Sequence, residues 1–109
     1  MAGRGNRTDS QGDLSTALER KVRVQPPRLY RVLLHNDDYT TMEFVVEVLM
    51  GVFHRTEKEA IEIMLHIHRR GVGEAGVYPR EVAESRVAKV SRLAREAEFP
   101  LLCTMEPTG

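Results

Sequence analysis

The sequence predicts an α+β fold: a small sandwich in which a three-stranded antiparallel sheet packs against three helices, in the order β-α-α-β-α-β. Three observations carry that prediction. Residues 28–35 alternate apolar and polar side chains as a half-buried strand does. Two Thr-x-x-Glu signatures, Thr40 to Glu43 and Thr56 to Glu59, each open an apolar stripe at helical spacing. A third stretch, residues 80–97, is rich in helix formers and lies between Pro79 and Pro100.

The first strand places Tyr30, Val32 and Leu34 on one face and Arg31, Leu33 and His35 on the other, and it stops at the turn composition Asn36-Asp37-Asp38. In the first capping box the Thr40 hydroxyl accepts the Glu43 amide hydrogen while the Glu43 carboxylate reaches back. The helix that follows carries Val45, Val48, Leu49 and Val52 inward, with Phe44 and Phe53 alongside, and fades near His54. The second box opens a helix running through Ala60, Ile61, Met64, Leu65 and His68, ended by Arg69-Arg70 and Gly71. So short a connection makes the two helices an antiparallel pair.

Glycines punctuate residues 71–78, with a short second strand expected at Gly76-Val77-Tyr78 and Pro79 suited to a first helical turn. The third helix faces inward through Ala83, Val87, Val90 and Ala94, widened by Val82, Leu93 and Ala97. Glu81, Glu84, Arg86, Lys89, Arg92 and Arg95 lie on or near its outer surface. Leu101 to Met105 reads as the last strand.

At 109 residues the chain has room for one domain of modest core. Residues 1–26, closed by Pro26-Pro27, read as a flexible tail that buries too little to offset its ordering entropy, and residues 27–109 as a single domain. Sixteen basic and sixteen acidic side chains cancel, so nothing demands a nucleic-acid partner. One cysteine, Cys103, allows no internal disulfide and suits a reducing compartment. The first residues lack the apolar run of a signal peptide and no segment approaches a membrane span, so a cytoplasmic protein without a membrane partner is expected.

Little of the familiar catalytic chemistry fits. His66 and His68 are two apart on a helix and point to different faces; HExxH is absent, and Asp37-Asp38 lacks the later ligands of an EF-hand. No metal or cofactor is expected. Cys103 lies within an apolar strand as a small core residue, and no serine occupies a GxSxG elbow. Gly73-Glu74-Ala75-Gly76 spells the GxxG clamp of a nucleic-acid-binding KH domain, but an acidic residue inside it favours glycines for turning. What stands out is a set of acceptors. His68 continues an apolar stripe, and the end of that helix can meet Asn36 to Asp38 if both helices pack on the sheet. A neutral imidazole, an amide carbonyl and a carboxylate beside Met42, Val45, Met64 and Ile67 suit a ligand with a cation next to an apolar group. On a bland reading His68 is a core-edge histidine, Asp37 a solvent-facing turn residue, and the molecule a docking domain without a pocket, similar to that of the ribosomal stalk protein. A small metal-dependent hydrolase is the weaker third reading.

Tyr30-Arg31-Val32-Leu33-Leu34-His35-Asn36-Asp37-Asp38-Tyr39-Thr40-Thr41-Met42-Glu43-Phe44-Val45 resembles the signature of the ClpS family, supported by Met64 to His68, Val82-Ala83-Glu84 and Pro100 to Thr104. The resemblance covers about residues 27–106. It implies the fold just described and a protein that is not an enzyme: an adaptor for N-end-rule substrates (N-degrons) of the ClpAP protease. By position, it implies that Asn36, Asp38 and His68 hold a free α-amino group, Asp38 through water. It further implies that Leu34, Thr40, Met42, Val45, Met64, Ile67 and Leu101 line a pocket for an N-terminal Leu, Phe, Tyr or Trp side chain. Met42 would be the gate against Val and Ile. Glu81 and Arg86 fall at positions implied to dock on the N-terminal domain of the ClpA unfoldase, Arg86 where Lys is frequent, and the tail would serve delivery. Thr41 stands where many members have Pro and His66 where a small residue is common; neither disturbs the pattern.

Overall fold

A computed structural model describes residues 26–109 of the chain; the expected tail, apart from Pro26, lies outside them. Three strands, β1 (Leu29–His35), β2 (Val72–Pro79) and β3 (Leu102–Pro107), form one antiparallel sheet in the order β2-β1-β3. Three helices, α1 (Met42–Gly51), α2 (Glu57–Arg70) and α3 (Arg80–Glu96), complete the predicted β-α-α-β-α-β order. Central β1 sets the layers by its alternation. Val32 and Leu34 are fully buried and lie opposite Met105 and Cys103 on one side and Gly76 and Gly73 on the other. The opposite face carries Arg31 between Glu74 and Glu106, at 3.7 and 3.3 Å.

β2 is longer than the expected three-residue strand, because its glycines make contacts rather than turns. A β-carbon on Gly73 would lie 2.6 Å from Ile67 Cγ1 of α2, and one on Gly76 would meet the Tyr78 ring. Only glycine lets helix and ring lie that close to the sheet. Between them the register shifts: Val32 faces Gly76 while Leu33 faces Glu74, leaving Ala75 as the extra residue of a bulge. Both Ala75 and Gly76 are consequently buried, and the Ala75 carbonyl accepts from Arg55 Nε at 2.9 Å and Nη2 at 2.7 Å. The arginine between α1 and α2 thus satisfies the acceptor that the bulge withdraws from the ladder.

The second capping box forms as predicted, with Glu59 N–H donating to Thr56 Oγ1 at 3.2 Å and Thr56 N–H to Glu59 Oε1 at 2.9 Å. α2 ends at Gly71 in the left-handed conformation, φ 90°. The first box does not form. Thr41, not Thr40, caps α1, accepting from Phe44 N–H at 3.1 Å, because Thr40 is already engaged by Asp37.

In α1, Val45, Val48 and Leu49 are buried as expected, as is Val52, the residue that caps its C-terminus. In α2 the packed stripe is Ala60, Ile63, Met64 and Ile67, whereas Ile61 and His68 are exposed. α3 buries Ala83, Val90 and Ala94 and rests Val87 and Leu93 on the core, but Val82 and Ala97 stay exposed. Phe44 and Phe99 meet at a 5.0 Å centroid separation, tying α1 to the segment after α3. Leu101 is buried just ahead of β3 rather than opening it.

Candidate functional site

The end of β1 and the end of α2 are fastened together by the backbone. Asn36 N–H donates to the Gly71 carbonyl at 2.8 Å, and His35 pairs with Val72 where the chain leaves α2 for β2. His68 lies one turn before Gly71, so this closure brings its imidazole near the loop that follows β1. Between the loop and the two helices lies a cavity of about 280 Å³. Asn36, Asp37, Asp38 and His68 form its polar side; Met42 and Val45 of α1 and Met64 and Ile67 of α2 form its apolar side, with Thr40 between.

Eight of the residues expected at a site therefore line one cavity: Asn36, Asp38 and His68 with Thr40, Met42, Val45, Met64 and Ile67. Leu34 and Leu101 do not reach it; they are buried in the core. With Asn36 and His68 on one wall, the pocketless docking reading loses its premise. Glu81 and Arg86 are elsewhere, on α3. Glu81 is exposed in its first turn, while Arg86 is half-buried with its guanidinium 5.6 Å from the centre of the Tyr78 ring. Five residues apart, the two point about 140° away from each other around the helix, and Arg86 is not the free surface cation that its spacing suggested.

Asp37 is not the solvent-facing turn residue expected. Its Oδ1 accepts from Tyr39 N–H at 2.8 Å and Thr40 N–H at 2.7 Å, and its Oδ2 accepts the Thr40 hydroxyl at 2.7 Å. Burial pushes its carboxyl up, but the bonds from Thr40 and Tyr39 outweigh that and hold it below the ordinary 3.8. The Asp-x-x-Thr spacing was a legible signal, since aspartate readily accepts the amides two and three residues on. With Asp37 committed to its own loop, Asp38 is the carboxylate left to serve the cavity.

The chemistry available is recognition. The nine lining residues include two carboxylates, an amide and an imidazole but no lysine or arginine, so the polar side attracts a donor or a cation. The thiol of Cys103 is buried, and burial raises its pKa to about 12, which removes it as a nucleophile. Among the described residues no group of His, Cys, Asp or Glu is disposed to hold a metal ion, and no helix is long and apolar enough to cross a membrane.

Comparison with known proteins places the chain in a family. Residues 25–104 match the family model of the ATP-dependent Clp protease adaptor protein ClpS. The ATP-dependent Clp protease adapter protein ClpS of Lawsonia intracellularis is 52% identical over 101 residues, 93% of this chain and 91% of that one. Its counterpart in Nitratidesulfovibrio vulgaris is 57% identical over 95 residues, 87% of this chain and 95% of that one. Among solved structures, Agrobacterium tumefaciens ClpS2 bound to L-phenylalaninamide is 43% identical, with a TM-score of 0.73 over 75% of this chain and 99% of that one. Strand order, helices and sequence agree, and the chain belongs to the ClpS family of Clp protease adaptors, which are not enzymes.

Proposed function

We propose that the cavity binds the free α-amino group and first side chain of proteins beginning with Leu, Phe, Tyr or Trp, and that the chain delivers them to the ClpA unfoldase of the ClpAP protease. The observation that carries this reading is the two-sided cavity: acceptors without a competing cation on one side, methionine and branched aliphatic side chains on the other. An apolar cavity of about 150 Å³ accommodates benzene. About 280 Å³ therefore leaves room for an aromatic ring with its amine. The Agrobacterium relative bound to L-phenylalaninamide supports the same chemistry, a free amine beside a phenyl ring.

An α-amine has a pKa near ~8 and is mostly a cation at neutral pH, so it needs acceptors once desolvated. In this reading Asn36 and His68 accept directly and Asp38 through water. Burying a Leu or Phe side chain contributes roughly 2–3 kcal/mol and each charge-assisted hydrogen bond roughly 1.5–3, before association entropy is subtracted. The remainder suits a roughly micromolar, reversible grip, as a handover requires. In this reading Met42, which lines the cavity and is 43% exposed, excludes branching at the ligand's β-carbon. The N-terminal domain of ClpA, in turn, docks on α3, where Glu81 is exposed in the first turn and Arg86 is half-buried on a different side of the helix.

Fluorescence anisotropy with labelled peptides tests the reading. Peptides beginning Phe, Leu, Tyr or Trp should bind, while their acetylated forms and peptides beginning Ile or Val should not. Equal binding of acetylated and free amines would sink it. Met42→Ala should admit Ile and Val. His68→Ala should weaken binding of every free-amine peptide, since it removes an acceptor from the polar side of the cavity.

A further inference from the structure

Beyond Met42 and Met64, on the side away from the cavity, a shallower groove of about 450 Å³ runs between α1 and α2. Its floor is Met42, Val46 and Met50 of α1 with Ile61 and Met64 of α2; its rim is Glu43, Glu47 and Glu57. Met42, Met50 and Ile61 are 43%, 39% and 39% exposed, large apolar side chains that the core does not use. No lysine, arginine or histidine lines the groove, and among the described residues none of the three glutamates has a cation within 4.0 Å.

Two facts select the occupant. Met42 and Met64 are walls of both spaces, so a chain that starts in the cavity and crosses them enters the groove. The rim carries one sign of charge, so an occupant with basic residues is steered in and an acidic one repelled. From Met42 to Met50 the helix advances about 12 Å, the span of about four extended residues. We infer that the groove holds the residues that follow the first residue of a bound substrate, roughly positions three to five, and favours apolar residues mixed with lysine or arginine. The methionines fit the task, because flexible thioether side chains repack around varied partners. The inference rests on the cavity being the site of the N-terminal residue.

The test uses free-amine peptides alike at positions one and two, beginning with Phe, and carrying Lys-Leu-Lys, Gly-Ser-Gly or Asp-Leu-Asp at positions three to five. Anisotropy should give the basic peptide roughly fivefold tighter binding than the glycine peptide, the acidic one weaker binding still, and a gap that narrows with added salt. Glu47→Lys should abolish most of the charge preference and Met50→Ser the leucine contribution, each leaving the glycine peptide's affinity in place as a check on the fold. Three peptides that bind alike, yet more tightly than their acetylated forms, would overturn the groove and leave the cavity reading standing. A charge preference that survives Glu47→Lys would overturn it equally. Acetylated peptides binding as well as free ones would overturn both.

Discussion

Asp37 acts on its own chain before any ligand arrives. Its three accepted hydrogen bonds fix the loop between β1 and α1, and they are strongest while the carboxylate is ionised. A folded-state pKa held below the ordinary value contributes stability above the unfolded pKa, and that stability is lost as pH falls through the folded value. Asp37→Asn should therefore be less stable than the parent near neutrality and lose less on acidification below about pH 4. Urea midpoints followed by circular dichroism from pH 7 to pH 2 measure both; an unchanged acid-side decline in the variant would assign it to other carboxylates such as Glu59, whose carboxyl is likewise lowered by the Thr56 backbone and hydroxyl. Among single residues, those with a local partner were readable. Thr56 and Glu59 announce each other across one turn, and so in retrospect do Asp37 and Thr40. Arg86 was not, because its partner Tyr78 sits on another element.

β2 shows where local reading stops. Gly73 and Gly76 look like turn residues in the sequence, but their role is set by Ile67 on α2 and by the ring of Tyr78. A glycine that turns the chain and one that makes room for a neighbour have the same local signature. Gly73→Ala should cost about 1–3 kcal/mol by overpacking, and it should also weaken peptide binding, because the displaced Ile67 lines the cavity. Gly51→Ala, at a helical position with open space around it, should instead stabilise by about 0.5–1 kcal/mol. Thermal melts with the Phe peptide as a second readout separate the two. The helices were more legible than the strands, since stripes and caps repeat within a few residues. The misplaced first cap came from a competition between Asp37 and Glu43 for Thr40, which spacing alone does not decide.

At the scale of the whole molecule, the layered fold was legible because β1's alternation and three helical stripes admit few arrangements. The cavity was legible mainly through the signature around Asn36 to Val45, and the groove beside it was not, because it consists of apolar side chains that periodicity could not tell from core. The sheet order makes a prediction of its own. β1 lies in the middle, yet both its neighbours come later in the chain. Deleting residues 101–109 would leave one edge of β1 unpaired and uncover Leu34, which lies opposite Cys103. The shortened chain should lose its cooperative thermal transition and self-associate, as circular dichroism and size-exclusion chromatography would report.

The same order has a consequence for biosynthesis. The strand that will be the centre leaves the ribosome early and waits for β3, which at ~5–20 residues per second arrives roughly 4–14 seconds later. The Asn36–Gly71 backbone bond beside the cavity joins segments made at different moments of that interval. A nascent chain thus has the residues of its cavity spelled out before they are assembled, and an unfinished adaptor lacks the cavity altogether.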